Sequence, residues 1–123
     1  MQIRTHKYAE TAYPLVKDVE QKTFESKYRT LALNFPTMIM QSGLMQSVGF
    51  LMAKRSDKEP QYEKFLEHLE EILKIDLTIQ KDLHTALLKS DITEYQLLTR
   101  KALDASSWLK RYTQALLKKE GET

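Results

Sequence analysis

Apolar positions recur along this chain at helical spacing. The clearest case is "QYEKFLEHLEEILKI", residues 61–75, where Tyr62, Phe65, Leu66, Leu69, Ile72 and Leu73 follow the i, i+3, i+4, i+7 pattern of an amphipathic helix. Pro60 stands just ahead, at a helix start where a missing N–H is harmless. Further on, "SDITEY" puts Asp91 three residues before Glu94, a capping-box start. It predicts a long final helix from about Thr93 to Lys119, stopping before Gly121. Upstream, the pattern predicts a helix over about Ile3 to Phe24, kinked or restarted at Pro14. A second begins near Ser26 as N-cap and runs through Tyr28, Leu31, Leu33 and Phe35 to about Ser42, bent or broken at Pro36. A third spans about Gly43 to Lys54, and a short one lies around Asp82 to Lys89. The stretch "KRSDKEP" is the clearest loop. The whole predicts one helical domain over residues 1–123, of about five to six helices, with a flexible tail at about 120–123.

One segment breaks the alternation. "LALNFPTMIMQSGLMQSVGFLM", Leu31 to Met52, runs 22 positions without a charge. A membrane-spanning helix needs about 20 predominantly apolar residues, and this one mixes in Asn, Thr, Gln and Ser, two glycines and a proline. Helical spacing sorts them: Asn34, Thr37 and Gln41 share a stripe, away from Leu31, Phe35, Met38 and Met45. Gly43 and Ser47, four apart, offer a close approach to another helix. The segment therefore reads as a proline-bent hairpin buried in a helical bundle, with Met38, Leu44 and Phe50 in the core, and not as a membrane span.

Composition agrees. Three glycines and three prolines in 123 residues are too few for the frequent turns of a β-sandwich or for a glycine-rich phosphate loop. Residues rich in Leu, Lys, Glu, Gln, Met and Ala favour helices, and the fold class is all-α. There is no cysteine, which removes disulfides, a thiol nucleophile and Cys-ligated zinc and fits a cytoplasmic setting. The first 25 residues mix charges with no apolar block, unlike a secretory signal.

The catalytic search is short. His6, His68 and His84 lie far apart. His6 with Glu10, and His68 with Glu71, can share a helical face. A carboxylate-bridged di-metal bundle needs Glu-x-x-His motifs, and the chain has none. The three read as exposed helix-surface histidines. The acids Glu59, Glu63, Glu67, Glu70, Glu71 and Asp76 have the spacing of a solvated or partner-facing helix surface. No catalytic residue, metal site or cofactor is expected.

Charge is divided unevenly. Residues 59–77 carry those six acids against Lys64 and Lys74, a net −4. Residues 95–119 carry Arg100, Lys101, Lys110, Arg111, Lys118 and Lys119 against Asp104, a net +5. On a helix Arg100, Arg111 and Lys118 fall in one stripe, opposite Leu98, Ala102, Ala105, Leu109 and Leu116. Lys54, Arg55 and Lys58 form a second basic cluster. Basic stripes of this kind bind phosphate without reading sequence; many others only keep a helix soluble. Trp108, on the flank of the apolar face, reads as a core anchor rather than a base-stacking platform.

The stretch "KYRTLALNFPTMIMQSGLMQSVGFLMAK", with its Tyr-x(7)-Pro-x(6)-Gly-Leu order, resembles the central helices of the small subunit of type III-B CRISPR (Cmr) effector complexes. "DITEYQLLTRKALDASSWLKRYTQALLKKEG" is similar to that family's last helix, and with "HKYAETAYPLVKDVEQK" the likeness covers nearly the whole chain. The resemblance implies a non-catalytic helical bundle in a cytoplasmic, antiviral, RNA-binding ribonucleoprotein. It implies partners: copies of itself in a minor filament, the repeated backbone subunit, the large polymerase-like subunit, and guide and target RNA. Lys54, Arg55, Arg100, Lys110 and Arg111 are the candidates for RNA-backbone contact. The alternatives are a free-standing helical adaptor that binds only proteins and a metal-dependent bundle enzyme.

Overall fold

A computed structural model describes residues 4–79 and 81–119. The tail expected at 120–123 lies outside these residues. Among them are six helices and no strand: α1 (Arg4–Lys17), α2 (Glu25–Ser42), α3 (Leu44–Lys54), α4 (Pro60–Leu73), α5 (Leu83–Lys89) and α6 (Ile92–Leu116). Each contributes to one buried cluster, from Tyr8 and Val16 of α1 to Leu98 and Leu109 of α6. α6 packs on α2 and α1, α4 packs on α1, α2, α3 and α6, and α5 leans on α3. None of the helices is long and apolar enough to cross a membrane.

Local chemistry explains most boundaries. Pro60 opens α4 as expected. α6 opens with a complete capping box: Asp91 Oδ1 accepts the Glu94 N–H at 2.8 Å, and Glu94 Oε1 accepts the Asp91 N–H at 3.2 Å. At α5, Asp82 caps the Thr85 N–H, and Glu70 reaches across from α4 to accept the Leu83 N–H at 2.8 Å. The backbone donation from Thr85 holds the Asp82 carboxyl below its ordinary pKa.

Four boundaries differ from the sequence reading. The first helix ends at Lys17 rather than Phe24. Val19 is buried, the chain tightens into i→i+3 bonds at Val19 and Glu20, and Gln21 turns left-handed (φ 66°) with its N–H donating to Glu25 Oε1. Ser26 is not an N-cap: α2 starts at Glu25, behind Phe24, with no side-chain cap. Pro14 and Pro36 sit inside uninterrupted helices. The last helix stops at Leu116, because Leu117 turns extended and buries its side chain, and the Lys118 N–H then donates to Glu25 Oε2.

The uncharged segment is the seam of α2 and α3. Leu31, Ala32, Phe35, Ile39, Leu44, Val48 and Leu51 are buried, while Asn34, Thr37 and Gln41 face water. Met38 and Phe50, expected in the core, are half-buried, and Met40 is exposed. Gly43 alone separates the helices, with φ 85° and ψ 159°, a conformation that glycine adopts almost exclusively. Ser47 is buried and donates its hydroxyl to Gly43 O. The element that arrives at this small-residue site is α6: the Tyr95 hydroxyl accepts the Met45 N–H at 3.0 Å, satisfying one of α3's orphan donors. Tyr95 at this end of α2 and Lys118 at the other show that α2 and α6 run antiparallel.

His68 corrects the reading of surface histidines. It is 5% exposed, and its Nδ1 lies 2.7 Å from the Tyr28 hydroxyl, inside an aromatic cluster with Phe65 and Phe35. Burial pushes the Tyr28 phenol up, so it keeps its proton and shares a hydrogen bond with Nδ1. Burial, followed by the Lys64 charge, lowers the His68 pKa to about 4. The unfolded chain therefore binds more protons between roughly pH 6.5 and 4. Stability is expected to fall by on the order of 3 kcal/mol as pH drops through that window. A His68→Gln variant should show a flatter dependence there in urea titrations at several pH values. Equal slopes for the two proteins would show that other groups govern the acid limb.

Candidate nucleic-acid interface

α6 buries Leu98, Ala102, Ala105, Ser106, Leu109 and Thr113 and turns its opposite face to water. Arg100 and Arg111 are both exposed on that face, about 20° apart around the axis, since eleven residues nearly complete three turns. Asp104 lies between them along the axis but about 40° around from Arg100, about 20° past Arg111, and is partly buried. Lys110 lies on the flank and is half-buried.

Lys101 and Lys118 drop out of the basic face. Lys101 Nζ holds Asp76 Oδ2 at 2.7 Å with its side chain 11% exposed, and Asp76 Oδ1 also accepts the Tyr8 hydroxyl at 2.9 Å. This carboxylate ties α1, the segment after α4, and α6 together. Lys118 lies beyond the helix end, so the expected stripe of Arg100, Arg111 and Lys118 shortens to its two arginines with Lys110 beside them.

Lys54 and Arg55 end α3 and are exposed. They stand about 15 Å along the axis from Met45, where Tyr95 of α6 touches α3. Arg55 instead borders a small cavity of about 70 Å³ with Glu63, Glu67 and Glu70 of α4. Arg100, Lys110 and Arg111 thus share one helix, while Lys54 and Arg55 stand at the end of another, with Arg55 beside acidic α4.

The acidic helix is less uniform than its sequence suggests. Glu59 contacts Gln61 Nε2 at 2.7 Å and Lys27 at 3.4 Å, which hold its pKa down. Glu70 caps α5 and Asp76 makes the clasp above. Glu63, Glu67 and Glu71 form the exposed face, with Lys64 bridging Glu67 at 3.4 Å. Among the described residues no group of three or more His, Cys, Asp or Glu is placed to hold a metal ion.

Trp108 is half-buried and packed against the core. It also begins a run of rings along the α1–α6 seam: Trp108 to Tyr112 at 5.6 Å, then Tyr112 to Tyr13 edge-on at 5.3 Å.

Residues 4–116 match the CRISPR-associated protein family Cas_Cmr5. The CRISPR system Cmr subunit Cmr5 of Thermus thermophilus is 29% identical over 118 residues, 95% of this chain and 98% of that protein. The crystal structure of a CRISPR-associated Cmr5 family protein from the same organism superposes with a TM-score of 0.84 at 27% identity, covering 96% of this chain and all of that one.

Proposed function

The chain belongs to the Cas_Cmr5 family of CRISPR-associated proteins, and from that premise we propose that it is a non-catalytic structural subunit of a cytoplasmic, RNA-guided Cmr complex acting in antiviral defence. In this reading copies of the chain stack as a minor filament beside the repeated backbone subunit and the large polymerase-like subunit. The face of α6 carrying Arg100, Lys110 and Arg111 lies along the guide–target duplex and neutralises its phosphates. Lys54 and Arg55 make a second, separate contact.

The observation that carries the reading is family membership over nearly the whole chain, joined to a long helix whose apolar side is buried and whose arginines are exposed. Base pairing reads sequence in such machines, and protein reads backbone shape. A non-specific cationic face is what that division of labour requires.

Affinity purification of the protein from its native cells, followed by sequencing of bound RNA and mass spectrometry of partners, tests it. Recovery of CRISPR repeat-derived RNA with the other Cmr subunits is the expected result. Recovery of unrelated proteins without RNA would support the adaptor reading instead.

A further inference from the structure

A groove of about 560 Å³ runs along the outer side of α2, between that helix, Phe50 of α3 and the start of α4. We propose that it binds one unstacked nucleotide, with the base against Phe50 and Tyr62 and the phosphate near Lys27 and Arg29. The proposal rests on the reading that the protein contacts RNA, and it places a further contact on helices other than α6.

The lining points to a flat, anionic ligand rich in hydrogen-bonding groups. Phe50 and Tyr62 are half-buried, their rings 5.8 Å apart and nearly perpendicular, which leaves aromatic surface open. Unpaired bases are held on such rings with little regard to sequence. Lys27, Arg29 and Lys119 outnumber Glu59 around the opening, a net +2. Glu59 holds Lys27 at 3.4 Å and Gln61 at 2.7 Å, so the acid fixes the position of two lining side chains. Asn34 spends its N–H on the Thr30 carbonyl at 2.9 Å, and its carbonyl oxygen remains for a ligand.

A second observation bears on the same place. Gln61 is 3% exposed, and its Oε1 has no hydrogen-bond partner among the described residues; the Arg29 Nε is likewise buried and unpaired. A buried acceptor and a buried donor left empty are costly, and both belong to residues lining this groove. A nucleobase edge carries donors beside acceptors. A rotamer change in either side chain on binding would satisfy what the free protein leaves open. Beyond Met38 and Phe50 the groove continues past Ser42 and Gln46, which gives the adjoining strand a path.

Titration of the isotope-labelled full chain with adenosine monophosphate, uridine monophosphate and inorganic phosphate, followed by NMR, tests the proposal. Both nucleotides should shift amides around residues 27–38 and 59–62 saturably, and phosphate should shift them much less. Tyr62→Ala should weaken binding by about five- to a hundredfold, the usual range for one lost stacking contact. Asn34→Trp fills the groove from an exposed position that leaves the core intact, and should abolish the shifts. The Arg100→Glu, Lys110→Glu, Arg111→Glu variant should bind the nucleotides like the parent chain, which separates this site from the α6 face. Groove amides that ignore the nucleotides, that answer phosphate equally, or that still respond in Asn34→Trp would each overturn the assignment. None of those outcomes touches the α6 reading.

Discussion

Replacing Leu44 by Asp is expected to leave the chain unfolded at neutral pH. Leu44 is fully buried at the first turn of α3, directly after the single glycine that joins α2 to α3. An aspartate there loses the leucine's apolar burial and puts a carboxylate in the buried cluster. Burying such a charge costs several kcal/mol, comparable with the whole net stability of a small domain, about 5–15 kcal/mol. Met38→Asp and Phe50→Asp differ, because both side chains border the α2 groove and are half-buried. A carboxylate at either position can reach water, so these variants should fold with a lowered melting temperature. Far-UV circular dichroism with thermal melting distinguishes the cases. A cooperative melt for Leu44→Asp near the parent's would mean that the α2–α3 seam tolerates charge and is not the core.

How much of this was legible in the sequence depends on which physical signal each feature carries. α4 and the start of α6 were readable because periodicity, proline placement and capping chemistry are all local. The family likeness was also readable, since it spans nearly the whole chain. Helix ends set by distant partners were not. α6 stops where it does because Leu117 finds the core and Glu25, far back in the chain, accepts the Lys118 N–H. His68 falls on the apolar side of α4, beside Phe65 and Leu69, and that position was the available sign of burial; its partner Tyr28 lies on another helix. Pro14 and Pro36 left a bend or a break open at each site, and both helices run through them.

The candidate interface was legible only in part. Counting charges found α6, yet the count could not show that Lys101 is committed to Asp76 or that Lys118 lies off the helix. It set Lys54 and Arg55 apart as a second cluster, but not beside the acids Glu63, Glu67 and Glu70 of α4 that Arg55 borders. The α2 groove escaped because its residues come from three helices. The one hint in sequence was the polar row Lys27, Thr30 and Asn34 at helical spacing beside an uncharged run.

The second large effect concerns RNA. Substituting Arg100, Lys110 and Arg111 together by Glu should leave helical content unchanged and lower melting only slightly, since the exposed Arg100 and Arg111 contribute little to stability and half-buried Lys110 can still turn a carboxylate to water. Capture of target RNA should weaken by roughly ten- to a hundredfold at low salt, because three phosphate contacts are lost and negative charge replaces them. The loss should be similar for every guide, as phosphate contacts carry no sequence information.

The decisive measurement is the salt dependence of target-RNA capture by reconstituted complexes that have incorporated either the parent chain or this triple variant. Each lost phosphate contact lowers the slope of log affinity against log salt by roughly 0.7 to 0.9, so the variant's slope should be shallower by about 2 to 3. Complexes that incorporate the variant and capture RNA with the parent's affinity and slope would contradict the account, leaving the α6 face to protein contacts or solubility.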